Sequence, residues 1–395
     1  MKKTGDLGLV KKINQSIVLD VIRRQRPISR AAIAQKTGLT KATVSNQVQT
    51  LIDSHLVREI GIGDSSGGRK PVLLTFNPRA GWAIGIDLGV HALLAVLTDL
   101  DGTILERREV PLTDPDEDAV IRTLAKCVRN LADAAPPAPY GIVGIGLGVP
   151  GIVRNDGTVL LAPNLGWRNV PLLERLQALI GLPVTIDNEA NAGAVGEKEY
   201  GAGRDYPNQI YVSISAGIGT GIILNNQLYR GAMGYSGEMG HTTIDIHGPR
   251  CRCGNIGCWE LYASETFLLR EAARHPELWL PGTPPRELGP FMEAARLHSP
   301  QALRILREMG IHLATGLVNL IHAFNPELVV VSTRTPDLQR WLEPSMREEL
   351  GRRLIPYHGE RLKLQFSSLG AGATVLGAVT LAVSRFLSEF TVKLE

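Results

Sequence analysis

The amino-acid sequence changes character near residue 80, and this boundary restricts the chain to folds with at least two unlike parts. Residues 1–80 hold 14 Lys and Arg against 5 Asp and Glu, whereas residues 81–395 hold 28 against 34. A basic segment attached to a mildly acidic body is typical of a polyanion-binding head on a domain with another task. We therefore predict two domains, residues 1–80 and residues 81–395.

The basic segment has the pattern of a helix-turn-helix. Apolar residues recur at helical spacing between Ile13 and Ile22, which predicts a first helix that ends at Pro27. Ser29 is a favourable N-cap for a short second helix, and Thr40 for a third helix that runs to about residue 53. In a helix-turn-helix, the second of two such helices enters the major groove of DNA.

Two predicted strands, Leu56–Ile60 and Val72–Phe76, add a wing, with a glycine-rich basic stretch between them. Polar side chains at the start of the third helix point away from its apolar face, and they are of the types that contact base edges and phosphates. We therefore predict a double-stranded DNA operator as a partner. The predicted DNA-binding residues are Thr40, Lys41, Ala42, Thr43, Ser45 and Asn46 on the helix and Arg69 and Lys70 on the wing.

From Trp82 onward, apolar strands alternate with helices, which is typical of an α/β body. The sequence contains no apolar run long enough to span a membrane. Its basic start is not followed by the apolar region of a secretory signal. We therefore predict a cytoplasmic protein that does not enter the membrane.

The cysteines of the body are clustered. Cys251, Cys253 and Cys258 lie within eight residues, while Cys127 stands alone in a predicted helix. In a chain predicted to be cytoplasmic, such clustering favours a metal site over a disulfide framework.

Four segments of the body combine glycines with polar side chains. They are Ile84-Gly-Ile-Asp-Leu-Gly-Val-His91, Asn164-Leu-Gly-Trp with Ile186-Asp-Asn-Glu-Ala-Asn191, Ser213-Ile-Ser-Ala-Gly-Ile-Gly-Thr-Gly221, and Gly237-Glu-Met-Gly-His241 with Cys251-Arg-Cys-Gly-Asn-Ile-Gly-Cys-Trp-Glu260. With these segments the chain resembles the ROK family (repressors, open reading frames, kinases) over the winged helix-turn-helix and nearly all of the body. The resemblance implies an actin-like, ribonuclease-H-like ATPase fold with two lobes around a sugar cleft.

The resemblance also implies how the body is divided and which residues face the sugar. The lobes are expected at about residues 81–200 and 201–370, with a C-terminal helix, residues 373–390, packing back on the first lobe. Sugar recognition needs several donors and acceptors that converge on adjacent hydroxyls. The residues that the resemblance assigns to this cleft are Asn164, Asn188, Glu189, Glu238, His241 and Glu260.

A structural Zn²⁺ is expected beside the cleft. His241, Cys251, Cys253 and Cys258 follow the spacing of the family, with steps of ten, two and five residues. One imidazole and three thiolates make a closed tetrahedral set, and four protein ligands leave no open position for catalysis. The ion would fix the loop that carries the sugar-facing side chains.

The residues of phosphoryl transfer depart from those of the active kinases in the family. The kinases place Asp after the Asn of one loop as general base, whereas this chain has the longer Glu189, and a base displaced by about 1 Å can lose about a hundredfold in rate. Their first phosphate loop, Asp-x-Gly-Gly-Thr-Lys, is replaced by Asp87-Leu-Gly-Val-His91, and their second has Gly-Thr where this chain has Ser215-Ala216. We therefore predict no catalytic residue and a sugar-binding role for Glu189.

The predicted function is a repressor of carbohydrate-utilisation genes that a free monosaccharide releases from DNA. The Asn-Glu pair resembles that of the xylose-responsive branch of the family, so xylose is one expected effector. A two-headed DNA binder should be a homodimer or homotetramer. Three alternatives stay open: a sugar that acts as corepressor, an ATP-dependent hexose kinase with a fused DNA-binding head, and a zinc-dependent interaction protein without a small ligand.

Overall fold

The computed structural model describes residues 7–62, 71–278, 288–335 and 337–391. Its N-terminal part is a winged helix-turn-helix, as predicted from the sequence. Ser29 and Thr40 cap the second and third helices, and Gly38, in the left-handed conformation at φ 71°, ends the second helix. The elements of this head are α1 (Leu7–Arg24), β1 (Ile28–Ser29), α2 (Arg30–Thr37), α3 (Lys41–Asp53), β2 (Val57–Ile62) and β3 (Val72–Phe76).

The wing strands form an antiparallel sheet with the order β1-β3-β2. The two-residue strand β1 was not predicted, because two residues cannot display an alternating pattern. The predicted wing residues Arg69 and Lys70 lie outside the described residues, so their role in DNA binding stays a prediction.

The first lobe of the body is built on a five-stranded sheet with the order β11-β7-β4-β5-β6. Its three parallel strands, β11, β7 and β4, direct their carboxyl ends to one edge, which is where open α/β sheets bind ligands. The elements of this lobe are β4 (Trp82–Leu88), β5 (Ala92–Asp99), β6 (Ile104–Pro111), α4 (Glu117–Asp133), β7 (Ile142–Val149), β8 (Ile152–Val153), β9 (Val159–Ala162), β10 (Trp167–Val170), α5 (Leu172–Ile180), β11 (Val184–Asn188) and α6 (Glu189–Tyr200).

The second lobe repeats this arrangement with a five-stranded sheet of order β14-β13-β12-β15-β16. In each sheet three neighbouring strands are parallel and the remaining two pair in antiparallel fashion beside them. The amino-acid sequence shows no repeat that would have predicted this likeness. The elements are β12 (Gln209–Ile214), β13 (Ile218–Leu224), β14 (Gln227–Leu228), α7 (Glu260–Ala263), α8 (Glu265–Ala272), α9 (Gly289–Arg296), α10 (Pro300–Phe324), β15 (Leu328–Thr333), α11 (Leu338–Arg353), α12 (Pro356–Gly359) and β16 (Lys363–Phe366).

The last helix among the described residues is the buried α13 (Gly372–Leu387), which returns to the first lobe and packs on α6, β7 and β4. Its apolar face joins a core that also contains head residues, among them Leu51, Leu56 and Phe76. The head and the body therefore share one apolar core. Among the described residues, no helix combines the length and the apolar character needed to cross a membrane.

Candidate functional site

A cavity of about 250 Å³ lies between the two lobes, at the carboxyl ends of β4, β7 and β11. Its opposite wall is the turn that joins β12 to β13, together with the segment before α7. The cavity is lined by all six residues that the sequence assigned to sugar binding: Asn164, Asn188, Glu189, Glu238, His241 and Glu260.

Asn188 and Glu189 stand where β11 ends and α6 begins. The Asn188 side chain caps α6, because its Oδ1 accepts hydrogen bonds from the amides of Ala190 at 2.8 Å and Asn191 at 3.1 Å. Its Nδ2 donates to the carbonyl oxygen of Gly151 at 2.9 Å and to Glu189 Oε2 at 3.1 Å. Asn188 thus lines the cavity while its polar atoms are already engaged in holding Glu189 in position.

Glu189 lies deep in the cavity wall. Burial raises the pKa of its carboxyl to about 8, and the nearby carboxylates of Glu238 and Asp87 add to this increase. Burial likewise raises the pKa of Glu238, while His241 opposes that shift. At neutral pH, Glu189 is therefore mostly a neutral acid, able to donate a hydrogen bond as well as accept one.

Asn164 faces the same cavity from the segment that follows β9. Arg252, which lies between two of the clustered cysteines, donates from Nη1 to Asn164 Oδ1 at 3.4 Å. Because Arg252 belongs to the second lobe and Asn164 to the first, this contact crosses the mouth of the cavity. Arg252 was not singled out from the sequence, since an isolated arginine carries no signal for such a contact.

The predicted metal ligands come together beside the cavity. The ligand atoms of His241, Cys251, Cys253 and Cys258 all lie within 4.8 Å of one another. Cys253 Sγ and Cys258 Sγ are 3.7 Å apart, as are Cys251 Sγ and His241 Nδ1. With Zn–S bonds of about 2.3 Å, a tetrahedral site has sulfur–sulfur separations of about 3.8 Å. The side chains present therefore fit a tetrahedral ion such as Zn²⁺.

His241 connects this cluster with the cavity through its two ring nitrogens. Its Nδ1 faces the cysteine sulfurs, while its Nε2 lies 4.0 Å from Glu238 Oε2 in the cavity. A metal bound at Nδ1 would orient the ring and leave Nε2–H directed at the cavity. One histidine thus faces both the cysteine cluster and the cavity.

An ion pair that the sequence did not predict occupies the far end of the cavity. Arg334, in the loop after β15, donates from Nη2 to Oδ2 of Asp87, whose side chain is fully buried at the end of β4. Asp87 Oδ1 has no hydrogen-bond partner among the described residues. Burial raises the pKa of Asp87, and the guanidinium opposes this shift. The pair joins the two lobes across the cavity.

Two glycines of β13, Gly219 and Gly221, are required by packing. A Cβ at Gly219 would lie 2.9 Å from the Cβ of Ala190 and 3.1 Å from Glu189 Oε1, and one at Gly221 would lie 2.4 Å from the Ala190 carbonyl oxygen. Only glycine lets β13 lie this close to the start of α6. Close packing accounts for these glycines without a phosphate.

The predicted DNA-reading face lies on α3. Thr40, Lys41, Ala42, Ser45 and Asn46 are exposed, as the sequence pattern predicts, and Thr43 is half-buried. The hydroxyl of Thr40 caps the helix by accepting from the Thr43 amide at 3.1 Å, and the two threonine hydroxyls lie 2.9 Å apart. The two threonines therefore stabilise the start of α3, and the other four residues stand clear of the core.

Comparisons with known proteins agree with both parts of the chain. Residues 83–385 match the model of the ROK family, and residues 12–65 match a model of the MarR family. The xylose repressor of Bacillus subtilis is 42% identical over 389 residues, which cover 98% of this chain and 99% of the repressor. This agreement over the whole length includes both the head and the body.

Two solved structures extend the likeness. A ROK family transcriptional regulator, described as a homologue of the Escherichia coli Mlc protein, matches with a TM-score of 0.80 and 28% identity, over 96% of this chain and 98% of its own. A ROK family glucokinase from Streptomyces griseus, solved with glucose and AMPPNP, matches with a TM-score of 0.70 and 32% identity, over 77% of this chain and all of its own. The matches confirm the predicted fold: a winged helix-turn-helix joined to the two-lobed body of the actin-like sugar kinases. The chain belongs to the ROK family.

Proposed function

We propose that this protein is a DNA-binding transcriptional repressor that a free monosaccharide, with xylose as the first candidate, releases from its operator. The observation that carries the proposal is the sugar-sized cavity lined by six polar side chains in a chain that also has an exposed recognition helix. The likeness to the xylose repressor of Bacillus subtilis over 98% of this chain supports the choice of sugar. The repressor acts on genes of carbohydrate use.

The control of DNA binding is a linkage between two sites. A sugar can shift the protein away from DNA only to the extent that it binds the DNA-releasing state more tightly. Two winged helices read two half-sites, so the working unit is a homodimer or a homotetramer. Closing of the lobes around the sugar changes the spacing of the two heads.

A sensor without kinase activity is favoured by the charge at the far end of the cavity. Arg334 pairs with Asp87, the carboxylate that begins the altered phosphate loop, and so occupies a group that a nucleotide complex would need. Glu189, at the position of the general base in the kinases, has a longer side chain than their Asp, and it is mostly protonated at neutral pH because its pKa is raised to about 8. The proposed role of Glu189 is a hydrogen bond to a sugar hydroxyl.

We also propose one structural Zn²⁺ in each chain, held by His241, Cys251, Cys253 and Cys258. The ion supplies no reaction step. It holds the hairpin that carries Arg252, which an antiparallel bridge between Arg250 and Ile256 closes, and it fixes the ring of His241. The separations of the four ligand atoms support this assignment.

The rival function, a hexose kinase with a DNA-binding head, is tested by incubation with ATP and Mg²⁺ across xylose, glucose and N-acetylglucosamine. We expect calorimetry to detect binding of at least one sugar and no sugar-dependent release of ADP. Robust turnover would overturn the sensor proposal in favour of the kinase. Absence of heat with every sugar would favour a protein without a small ligand.

The protonation of Glu189 gives a prediction that separates a sugar contact from a catalytic base. Glu189→Gln mimics the neutral acid, so at pH 7 its affinity for xylose should stay within about threefold of the wild type, whereas Glu189→Ala should lose about tenfold. Calorimetric titration of the three proteins measures this. A glutamine variant as defective as the alanine variant would contradict a neutral Glu189.

The raised pKa of Glu189 also predicts a change of stability with pH. A carboxyl whose pKa is higher in the folded state contributes stability that is full below its unfolded value of about 4.5 and is lost as the pH rises towards 8. Glu189→Gln lacks this loss. Its unfolding free energy relative to the wild type, from urea titrations at pH 5.5 and pH 8, should therefore increase with pH, and a constant difference would be contrary to the assignment.

For the DNA-binding face we predict separable effects of charge and of base contact. Lys41→Ala removes one cation, so DNA affinity should fall for all sequences and the slope of log affinity against log salt should decrease by about 1. Asn46→Ala does not change the charge, so it should lower the affinity for the specific operator while leaving that slope unchanged. Anisotropy titrations at several salt concentrations measure the affinity and the salt slope of each variant. Equal salt slopes for Lys41→Ala and the wild type would show that Lys41 does not contact the DNA.

A further inference from the structure

One continuous buried helix, α13, runs from beside the cavity to the core shared by head and body. At its N-terminal end, Thr374 Oγ1 donates to the carbonyl oxygen of Glu189 at 3.2 Å. Its C-terminal end lies against the head, where Phe386 belongs to the apolar core shared by head and body. Sixteen helical residues span about 24 Å, so α13 links Glu189 with the shared core as a single rigid element.

The start of α13 must follow the element that carries Glu189. Helix α6 begins with Glu189 and packs so closely on α13 that a Cβ at Gly377 would lie 1.7 Å from the carbonyl oxygen of Ala192. A Cβ at Gly196 would lie 2.0 Å from the carbonyl oxygen of Ala373. Because packed interiors transmit displacement, a shift of α6 on sugar binding moves α13 with it.

The far end of α13 meets the head through Tyr140, which lies in the loop before β7. The ring of Tyr140 packs edge-on against Phe386 with the ring centres 5.0 Å apart, and against Phe390 at 5.9 Å. Its hydroxyl donates to the carbonyl oxygen of Ser54 at 2.9 Å. Ser54 is the C-cap residue of α3, the recognition helix. Tyr140 is thus in contact with the end of α13 and with the end of α3.

A second contact runs parallel to the first and starts from α6. Tyr200, the last residue of α6, lies against the turn that contains Gly102, where a Cβ would approach its ring within 2.6 Å. In the same turn, Asp101 forms an ion pair with Arg26 of the head. Helix α6 therefore ends at a turn of the body that is paired with the head, and α13 ends at the core that head and body share. Both features support transmission through this interface.

We infer that Tyr140 is a positioning residue that transmits sugar occupancy from α13 to the recognition helix through its hydrogen bond to Ser54. This inference rests on the proposed function. When sugar binding displaces α6 and α13, the aromatic contact carries Tyr140 along, and the hydroxyl draws the end of α3 away from the orientation that fits DNA. Tyr140 contacts neither sugar nor DNA in this mechanism.

The test uses Tyr140→Phe in the full-length protein, which keeps the ring and removes only the hydroxyl. DNA affinity is measured with and without saturating xylose, and xylose affinity is measured by calorimetry. We expect xylose affinity within about twofold of the wild type, while the factor by which xylose weakens DNA binding falls about fivefold, the effect of one hydrogen bond. Tyr206→Phe, which removes a hydroxyl bonded to Lys363 in the second lobe, should leave that factor unchanged.

The outcomes separate the inference from the function on which it rests. A merely structural Tyr140 would lower DNA affinity equally with and without xylose, and the unchanged factor would overturn the relay. The proposed function would be overturned, and the relay with it, if the wild-type protein bound no sugar. The same would follow if its DNA affinity did not change when a sugar was bound. Support for both the relay and the proposed function would be a Tyr140→Phe protein of normal thermal stability in which xylose weakens DNA binding less than in the wild type, while Tyr206→Phe behaves like the wild type.

Discussion

Arg334→Ala is expected to destabilise the protein by about 3 kcal/mol, since removing the guanidinium leaves the buried carboxylate of Asp87 without a compensating charge. The side chain of Asp87 is fully buried, whereas that of Arg334 is 37% exposed, so most of the cost falls on the carboxylate. Asp87 Oδ1 already lacks a hydrogen-bond partner among the described residues, so nothing else there offsets the loss. Urea unfolding monitored by circular dichroism measures the change.

The pH dependence of this variant follows from the same carboxylate. Without the guanidinium, burial alone acts on Asp87 and raises its pKa further. Such a group contributes stability that is present at low pH and lost as the pH rises through its folded pKa, so the deficit of Arg334→Ala should be smaller at pH 5 than at pH 8.

The double variant Asp87→Asn, Arg334→Ala is the matched control, because it removes both charges. It should recover most of the stability lost by Arg334→Ala alone. If Arg334→Ala unfolds at the same urea concentration as the wild type, the ion pair at the far end of the cavity does not hold the lobes together.

Cys258→Ser is expected to lower zinc affinity at least about a hundredfold, because even the outer partners of zinc ligands contribute about 10–100-fold. Cys258 is fully buried, and its sulfur lies 3.7 Å from that of Cys253. Without the ion, the hairpin that carries Arg252 loses its anchor, so xylose affinity should fall as well. Zinc content per chain and calorimetry with xylose measure the two effects.

Cys127→Ser provides the matched control for this variant. Cys127 is a buried cysteine of α4 that lies apart from the cluster, so its replacement should leave zinc content and sugar affinity unchanged. A Cys258→Ser protein that retains one zinc per chain would refute the assigned ligand set. One that loses zinc but binds xylose normally would refute the link between the metal and the cavity.

Much of the site could be predicted because its signals are local in the sequence. The spacing of His241, Cys251, Cys253 and Cys258 indicates a metal cluster before any fold is known, and the structure brings these ligand atoms together. The caps at Ser29 and Thr40 similarly marked the starts of α2 and α3, because capping depends on the few residues next to a helix end.

Long-range contacts could not be predicted in this way. Asp87 and Arg334 are 247 positions apart, and only the topology of the two sheets brings them to one cavity. Tyr140 and Ser54 are 86 positions apart and meet because the head shares its core with the body. Asn188 illustrates a third case: it lines the cavity as predicted, yet its polar atoms are committed to capping α6 and to Glu189.

If one chain couples a sugar cavity to a DNA-binding head, its DNA affinity must differ with and without sugar. The full-length protein is titrated at fixed salt onto labelled promoter DNA from upstream of its own coding region, alone and with saturating xylose, glucose or N-acetylglucosamine. We expect at least one of these sugars, xylose first, to raise the dissociation constant for DNA about tenfold or more. Specific DNA binding that stays the same with every sugar that calorimetry shows to bind would contradict it.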